Sequence, residues 1–115
     1  MNVRLAQVIA KLQAGEKVEH REGGNSMTPI IESREPVTLE PVDVDKLEAG
    51  DIVLVKVRGK HYTHLVLGFR GDDEVQIGNN KGHSNGWTKR TNVYGIVTEI
   101  KGVPRGGAQA KVWRP

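Results

Sequence analysis

The chain has 115 residues and no cysteine. That excludes a disulfide framework and a thiolate metal site, and with them the usual signs of an oxidising compartment. Aromatic residues make up only 4 %, so a core has to be assembled from Val, Ile and Leu. No apolar run approaches the ~20 residues that a membrane-spanning helix needs. The first residues place Arg4 and Lys11 inside an amphipathic pattern, which is not the basic-then-apolar layout of a secretory leader. The expected location is cytoplasmic, without a membrane partner. The length suits one domain and leaves no room for a second, DNA-reading one.

What is present is unevenly spread. Between Glu32 and Asp51 there are seven acidic residues against two basic ones, whereas Lys101 to Pro115 holds four basic residues and no acidic one. Such a C-terminal tail leaves nucleic acid or an acidic partner open as a ligand, although a short Gly/Arg/Lys tail is more often only solvated.

Val3, Leu5, Ala6, Val8, Ile9 and Leu12 recur at helical spacing, with Asn2 as N-cap and Gly15 as the stop. One helix cannot build a helix-turn-helix; its free side is available for a homodimer. From residue 16 the pattern turns to strands. Residues 16–22 read as a polar edge strand, and 36–41, bounded by Pro36 and Pro41, as another edge. A helical turn capped by Asp45 and closed by Gly50 follows. Ile52 to Val57 is nearly continuous apolar sequence, suited to a central strand, and the Arg58-Gly59-Lys60 turn sends Tyr62 to Phe69 back as a hairpin. Residues 74–77 and 92–100 are further strands. The polar stretch 78–91, rich in Asn and Gly and holding His83 and Trp87, reads as an irregular loop. The expected fold is mainly β: a small folded sheet or barrel with one N-terminal α-helix. Its parts are the helix (1–15), a β domain (16–101) and a basic tail (102–115).

Two features bear on chemistry. Gly23-Gly24-Asn25-Ser26-Met27-Thr28-Pro29 is a bend in which glycine allows positive φ and Pro29 fixes the exit. It would present the Ser26 hydroxyl beside its own N–H, the pairing that acyl transfer needs. His64 lies in an apolar strand, on the same face as Tyr62 and Val66. A buried imidazole tends to stay neutral, as a general base must. His61 and His64 fall on opposite faces of one strand and cannot chelate one ion, so no metal and no cofactor is expected.

In order along the chain come the Gly-Asn-Ser-Met-Thr-Pro bend, a Gly-Asp-hydrophobic strand (Gly50 to Val55), a hairpin strand running Thr63-His64-Leu65-Val66-Leu67-Gly68, a Gly-Asn-Asn segment from Gly78, and a Tyr-Gly-Ile-Val strand (Tyr94 to Val97). This ordered set resembles the signal peptidase and LexA-like serine peptidases, over roughly Gly23 to Glu99. The resemblance implies the folded sheet of that superfamily in a stand-alone soluble form, Ser26 as nucleophile, and His64 in the position of the general base. It implies a peptide or protein substrate, cleaved within this chain or in another. Where the histidine-type members look to a Gly-Asp-Asn segment and a following acidic pair for the orienting carboxylate, this chain has Gly78-Asn79-Asn80 and then Ser84-Asn85. The candidates for orienting the base or holding the oxyanion are therefore Asn25, Asn79, His83 and Asn85. Asn85 and its neighbours lack the charge of a carboxylate, so a second reading stands beside the first. In it the same scaffold is catalytically weak or inactive, and binds protein or nucleic acid through the 78–87 segment and the basic tail.

Overall fold

The computed structural model describes residues 2–115. Helix α1 spans Val3–Gln13; the Asn2 side chain accepts the Leu5 N–H at 2.8 Å and caps it. Gly15, at φ 86°, takes the chain out of the helix. Val8, Ile9 and Leu12 form the buried stripe. Leu12 needs the strand beneath it to carry no side chain, because a Cβ on Gly95 would lie 2.9 Å from Leu12 Cδ1.

Eight strands follow: β1 (Val18–His20), β2 (Val37–Glu40), β3 (Ile52–Val57), β4 (Lys60–Arg70), β5 (Glu74–Gly78), β6 (Ser84–Lys89), β7 (Val93–Ile100) and β8 (Val103–Pro104). They form one antiparallel sheet in the order β1-β2-β7-β3-β4-β5-β6, with β8 paired to β7. The expectation of a mainly β chain with a single N-terminal helix holds. The sheet is open, not a closed barrel, and β1 and β6 are its ends.

The apolar run of β3 is explained by burial on both faces. Ile52 and Leu54 join α1, Leu39 and Met27 in one cluster, while Val53, Val55 and Val57 join Val66, Val75, Ile77 and Ile96 in the other. These five β3 residues are the inaccessible centre of the molecule, each stabilising the fold by about 1.5–3 kcal/mol through burial. The β3–β4 connection is a tight turn with Arg58 and Gly59 both at positive φ (51° and 82°), which sets His64 opposite Val53.

Four expectations need correction. Strand β2 lies between β1 and β7 and is no edge; the prolines bound it and expose nothing. The helical turn is a short 3₁₀ segment, Val44–Lys46, capped by Asp43 and not by Asp45, because the Asp43 side chain already accepts the Asp45 N–H at 3.1 Å. The 78–91 stretch is irregular only in part: residues 79–83 form a turn, but Ser84–Lys89 is strand β6, paired with β5, and Gly86 at φ 114° sits at the register shift between them. The C-terminal segment is not a free basic tail. Ala108 and Val112 are buried in the core, Val112 bridges Val42, and Lys111 Nζ sits 2.6 Å from Asp51 Oδ1 and 3.1 Å from Glu48 Oε1. No helix among the described residues is long and apolar enough to cross a membrane.

Candidate active site

Residues 21–35 link β1 to β2 without strand pairing, and local bonds shape them into the bend that carries Ser26. Gly24 takes φ 110°, and its N–H donates to Ser33 Oγ at 3.0 Å. The Arg34 N–H donates to the Glu22 carbonyl at 2.7 Å and closes the loop at its base. The Thr28 and Ile31 N–H groups bond back to the Asn25 and Met27 carbonyls at 3.2 and 3.0 Å. Met27, next to the serine, is 5 % exposed and plugs the bend into the α1-side cluster. From across the sheet Asn80 braces it twice: its N–H donates to the Ser26 carbonyl and its Nδ2 to the Thr28 carbonyl, each at 2.9 Å.

His64 arrives from a different kind of structure, the central strand β4. Its Nε2 lies 3.0 Å from Ser26 Oγ, and its Nδ1 lies 2.7 Å from Asn85 Oδ1 on β6. An amide oxygen only accepts, so Nδ1 carries the proton and Nε2 turns its lone pair to the serine hydroxyl. Tyr62, two residues earlier on the same face, stacks on the imidazole with centroids 4.9 Å apart. The ring is 7 % exposed. Burial holds its pKa below the ordinary 6.5; the Asn85 hydrogen bond and the Glu22 carboxylate push the other way, and His83 adds to the lowering. His64 is thus neutral and able to accept a proton at pH 7.

The structure therefore brings Ser26, His64 and Asn85 into one hydrogen-bonded row. Of the other candidates, Asn79 is structural: its Oδ1 accepts the N–H groups of Lys81 and His83 at 2.8 and 3.0 Å and turns the β5–β6 connection. His83 is exposed and does not orient the ring; its carbonyl accepts the Asn79 N–H. The Asn25 carbonyl accepts Thr28 Oγ1 at 3.0 Å, and its side chain has no partner among the described residues. The Ser26 N–H likewise donates to no acceptor among the described residues, and so is free to meet an oxyanion.

Four residues outside the candidate set stand around the row. Asn80 braces the bend, Tyr62 stacks on the imidazole, and Glu22 with Thr63 forms a second polar link. Glu22 Oε1 accepts Thr63 Oγ1 at 2.8 Å and His20 Nε2 at 2.8 Å. The one local signal is the i, i+2 spacing of His20 and Glu22, which an extended segment places on one side. Beside Ser26 lies a narrow pocket of about 30 Å³, floored by Met27, Ile31 and Val37 and edged by Glu22 and Gly24. Comparison of the chain with protein-family models, with curated proteins and with solved structures gives no significant match.

Proposed function

We propose that this chain is a serine peptidase-like hydrolase of the signal peptidase and LexA-like kind, a stand-alone member working with a Ser26/His64 dyad. The observation that carries the reading is the 3.0 Å Ser26 Oγ–His64 Nε2 contact with Asn85 held 2.7 Å behind the ring. These are the separations of an activated nucleophile and its oriented base. In the first step Ser26 Oγ bonds to a peptide carbonyl carbon while its proton passes to His64 Nε2 and the carbonyl π pair moves onto oxygen. The free Ser26 N–H faces that oxyanion. The C–N bond then breaks, and His64 returns the proton to the departing amine. Water then bonds to the acyl carbon as His64 Nε2 takes its proton, the bond from that carbon to Ser26 Oγ breaks, and the ring returns the proton to Oγ.

The test needs no known substrate. A fluorophosphonate, which phosphonylates an activated serine with loss of fluoride, is expected to add once, at Ser26, as read by intact mass and peptide mapping. Ser26→Ala should abolish the adduct, and His64→Ala should slow it by roughly 100-fold or more, the range of general-base catalysis. The rate should rise with pH and level off once His64 is neutral, on a limb below 6.5. Absence of an adduct, or an adduct that persists in Ser26→Ala, refutes the proposal.

A further inference from the structure

The outer member of the row sets a problem. Asn85 fixes the ring's orientation, but an amide brings no charge to offset the imidazolium that forms when Ser26 yields its proton. Burial of the ring works against that cation as well. Besides Ser26 and Asn85, the imidazole meets Tyr62. Residues 62 and 64 share a face of β4, and each stands opposite an inaccessible valine of β3, Val55 and Val53. Tyr62 also packs against the cluster that holds these valines. Over this floor the two rings lean together, with centroids 4.9 Å apart and planes 26° from parallel. The imidazole therefore lies over the face of the phenol ring, where the π electrons concentrate negative potential. A cation held over an aromatic face within about 6 Å of its centroid is attracted to it, most strongly where water is excluded.

We propose that Tyr62 stabilises the His64 imidazolium by cation–π attraction, supplying with its ring face part of what an orienting carboxylate would supply by charge. Asn85 aims the imidazole from its edge, and Tyr62 favours the cation from its face without competing for either ring nitrogen. Tyr62 acts through His64 and is a positioning residue. This rests on the Ser26/His64 reading above. Two titratable groups outside the contact also bear on the ring: Glu22, from the segment after β1, favours its protonated form, and His83, from the β5–β6 connection, disfavours it. The charged side chains of the neighbouring strands pair elsewhere. Lys56 of β3 is opposite His61, Glu74 of β5 is opposite Arg70, and Lys89 of β6 is opposite Glu74. A change confined to the electrons of the Tyr62 ring leaves all of these in place.

The experiment is an NMR titration of the histidine rings in the full chain, with the π density at position 62 varied and the ring shape kept. Tyr62→Phe retains an aromatic face and should leave the His64 pKa within about 0.3 unit of the wild type. Tyr62→difluorophenylalanine and Tyr62→pentafluorophenylalanine then withdraw the π density stepwise. The His64 pKa should fall at each step, by about 0.5 unit or more in all, the size of a cation–π contact expressed as a pKa. His61, on the other face of β4 and stacked on Tyr94 with centroids 5.8 Å apart, should titrate unmoved. The acid limb of fluorophosphonate labelling should move down with His64. Its plateau should fall about threefold, because a less stabilised imidazolium makes a weaker base. A ring that only fills space would hold His64 equally well at every fluorine count. A His64 pKa that is flat across the series, or that moves only in step with His61, overturns the proposal. The titration reads the contact without any turnover. A failure of Ser26 labelling therefore rejects the hydrolase reading, while a flat titration rejects the role of Tyr62.

Discussion

Ser26 and His64 meet at 3.0 Å from two very different pieces of chain. His64 stands on an 11-residue strand with paired strands on both sides, opposite the inaccessible Val53. Its backbone cannot move without breaking the centre of the sheet. Ser26 stands on a bend with no ladder pairing, held by local hydrogen bonds, one buried side chain and the two-bond brace from Asn80. The proposed base, His64, is positioned by the fold, whereas the proposed nucleophile, Ser26, is positioned by local chemistry added to it. Stability and site integrity should therefore separate under mutation, and the variants below are chosen for where they should and should not do so.

The largest effect is expected where the two cannot separate. Leu54 is fully buried on β3, paired with Thr63 next to the base, and packs in the cluster that also takes Met27. Leu54→Ala removes three carbons from a site enclosed by strands on either side. It should cost about 2–5 kcal/mol, read from urea unfolding. Ser26 labelling should fall only in step with the unfolded fraction. A folded Leu54→Ala protein that has lost labelling would show that the base, too, depends on local detail.

The same division explains what can be read in the sequence. Strands β3, β4, β5 and β7 announce themselves because Val-, Ile- and Leu-rich segments between glycine turns have few other places to go. Strand β6 does not: Ser84-Asn85-Gly86-Trp87-Thr88-Lys89 has turn composition, and it is extended because β5 offers it an edge. The interior place of β2 is equally invisible locally, since strand order is decided by pairing with the distant β7. Within the site, Ser26 and His64 are marked by a bend motif and by a histidine in an apolar strand. Asn85 is one of four candidates that only the pairing of β5 with β6 can rank. Glu22 carries no local mark and Asn80 only that of the Gly-Asn-Asn segment, because each acts on a residue some forty or fifty positions away.

The next effect sharpens the comparison by changing the strand-held partner alone. Asn85→Asp puts a charge where the ring is now met by an amide oxygen at 2.7 Å. The His64 pKa should climb by about one unit or more, worth roughly 1.4 kcal/mol, and the acid limb of labelling should follow it. Stability should report the same change. In the wild type the folded-state pKa lies below 6.5, so the unfolded chain binds a proton more readily, and this contribution is lost as pH falls from 6.5 through the folded value. With the Asn85→Asp carboxylate raising the folded value, that loss on acidification should shrink or reverse. Urea melts at pH 8 and near pH 5.5 measure it, and an unchanged difference would mean that Asn85 does not govern the ring.

The smallest effect on stability should be the most selective for the site. Asn80→Ala removes the Nδ2 bond to the Thr28 carbonyl while leaving the backbone bond to the Ser26 carbonyl in place. A single half-buried hydrogen bond is worth about 1 kcal/mol, so the melting curve should move only slightly. The serine bend, however, loses half of its brace from the far side of the sheet, and a displacement of the nucleophile by a fraction of its 3.0 Å contact weakens proton transfer steeply. Labelling at Ser26 should drop by about tenfold or more, beyond what the stability change accounts for, while the His64 titration stays put because β4 is untouched. That combination is the signature of a nucleophile positioned locally on a base positioned by the fold. Equal proportional losses in stability and labelling would instead make the bend an ordinary part of the folded core, and the difference between the two halves of the dyad would disappear.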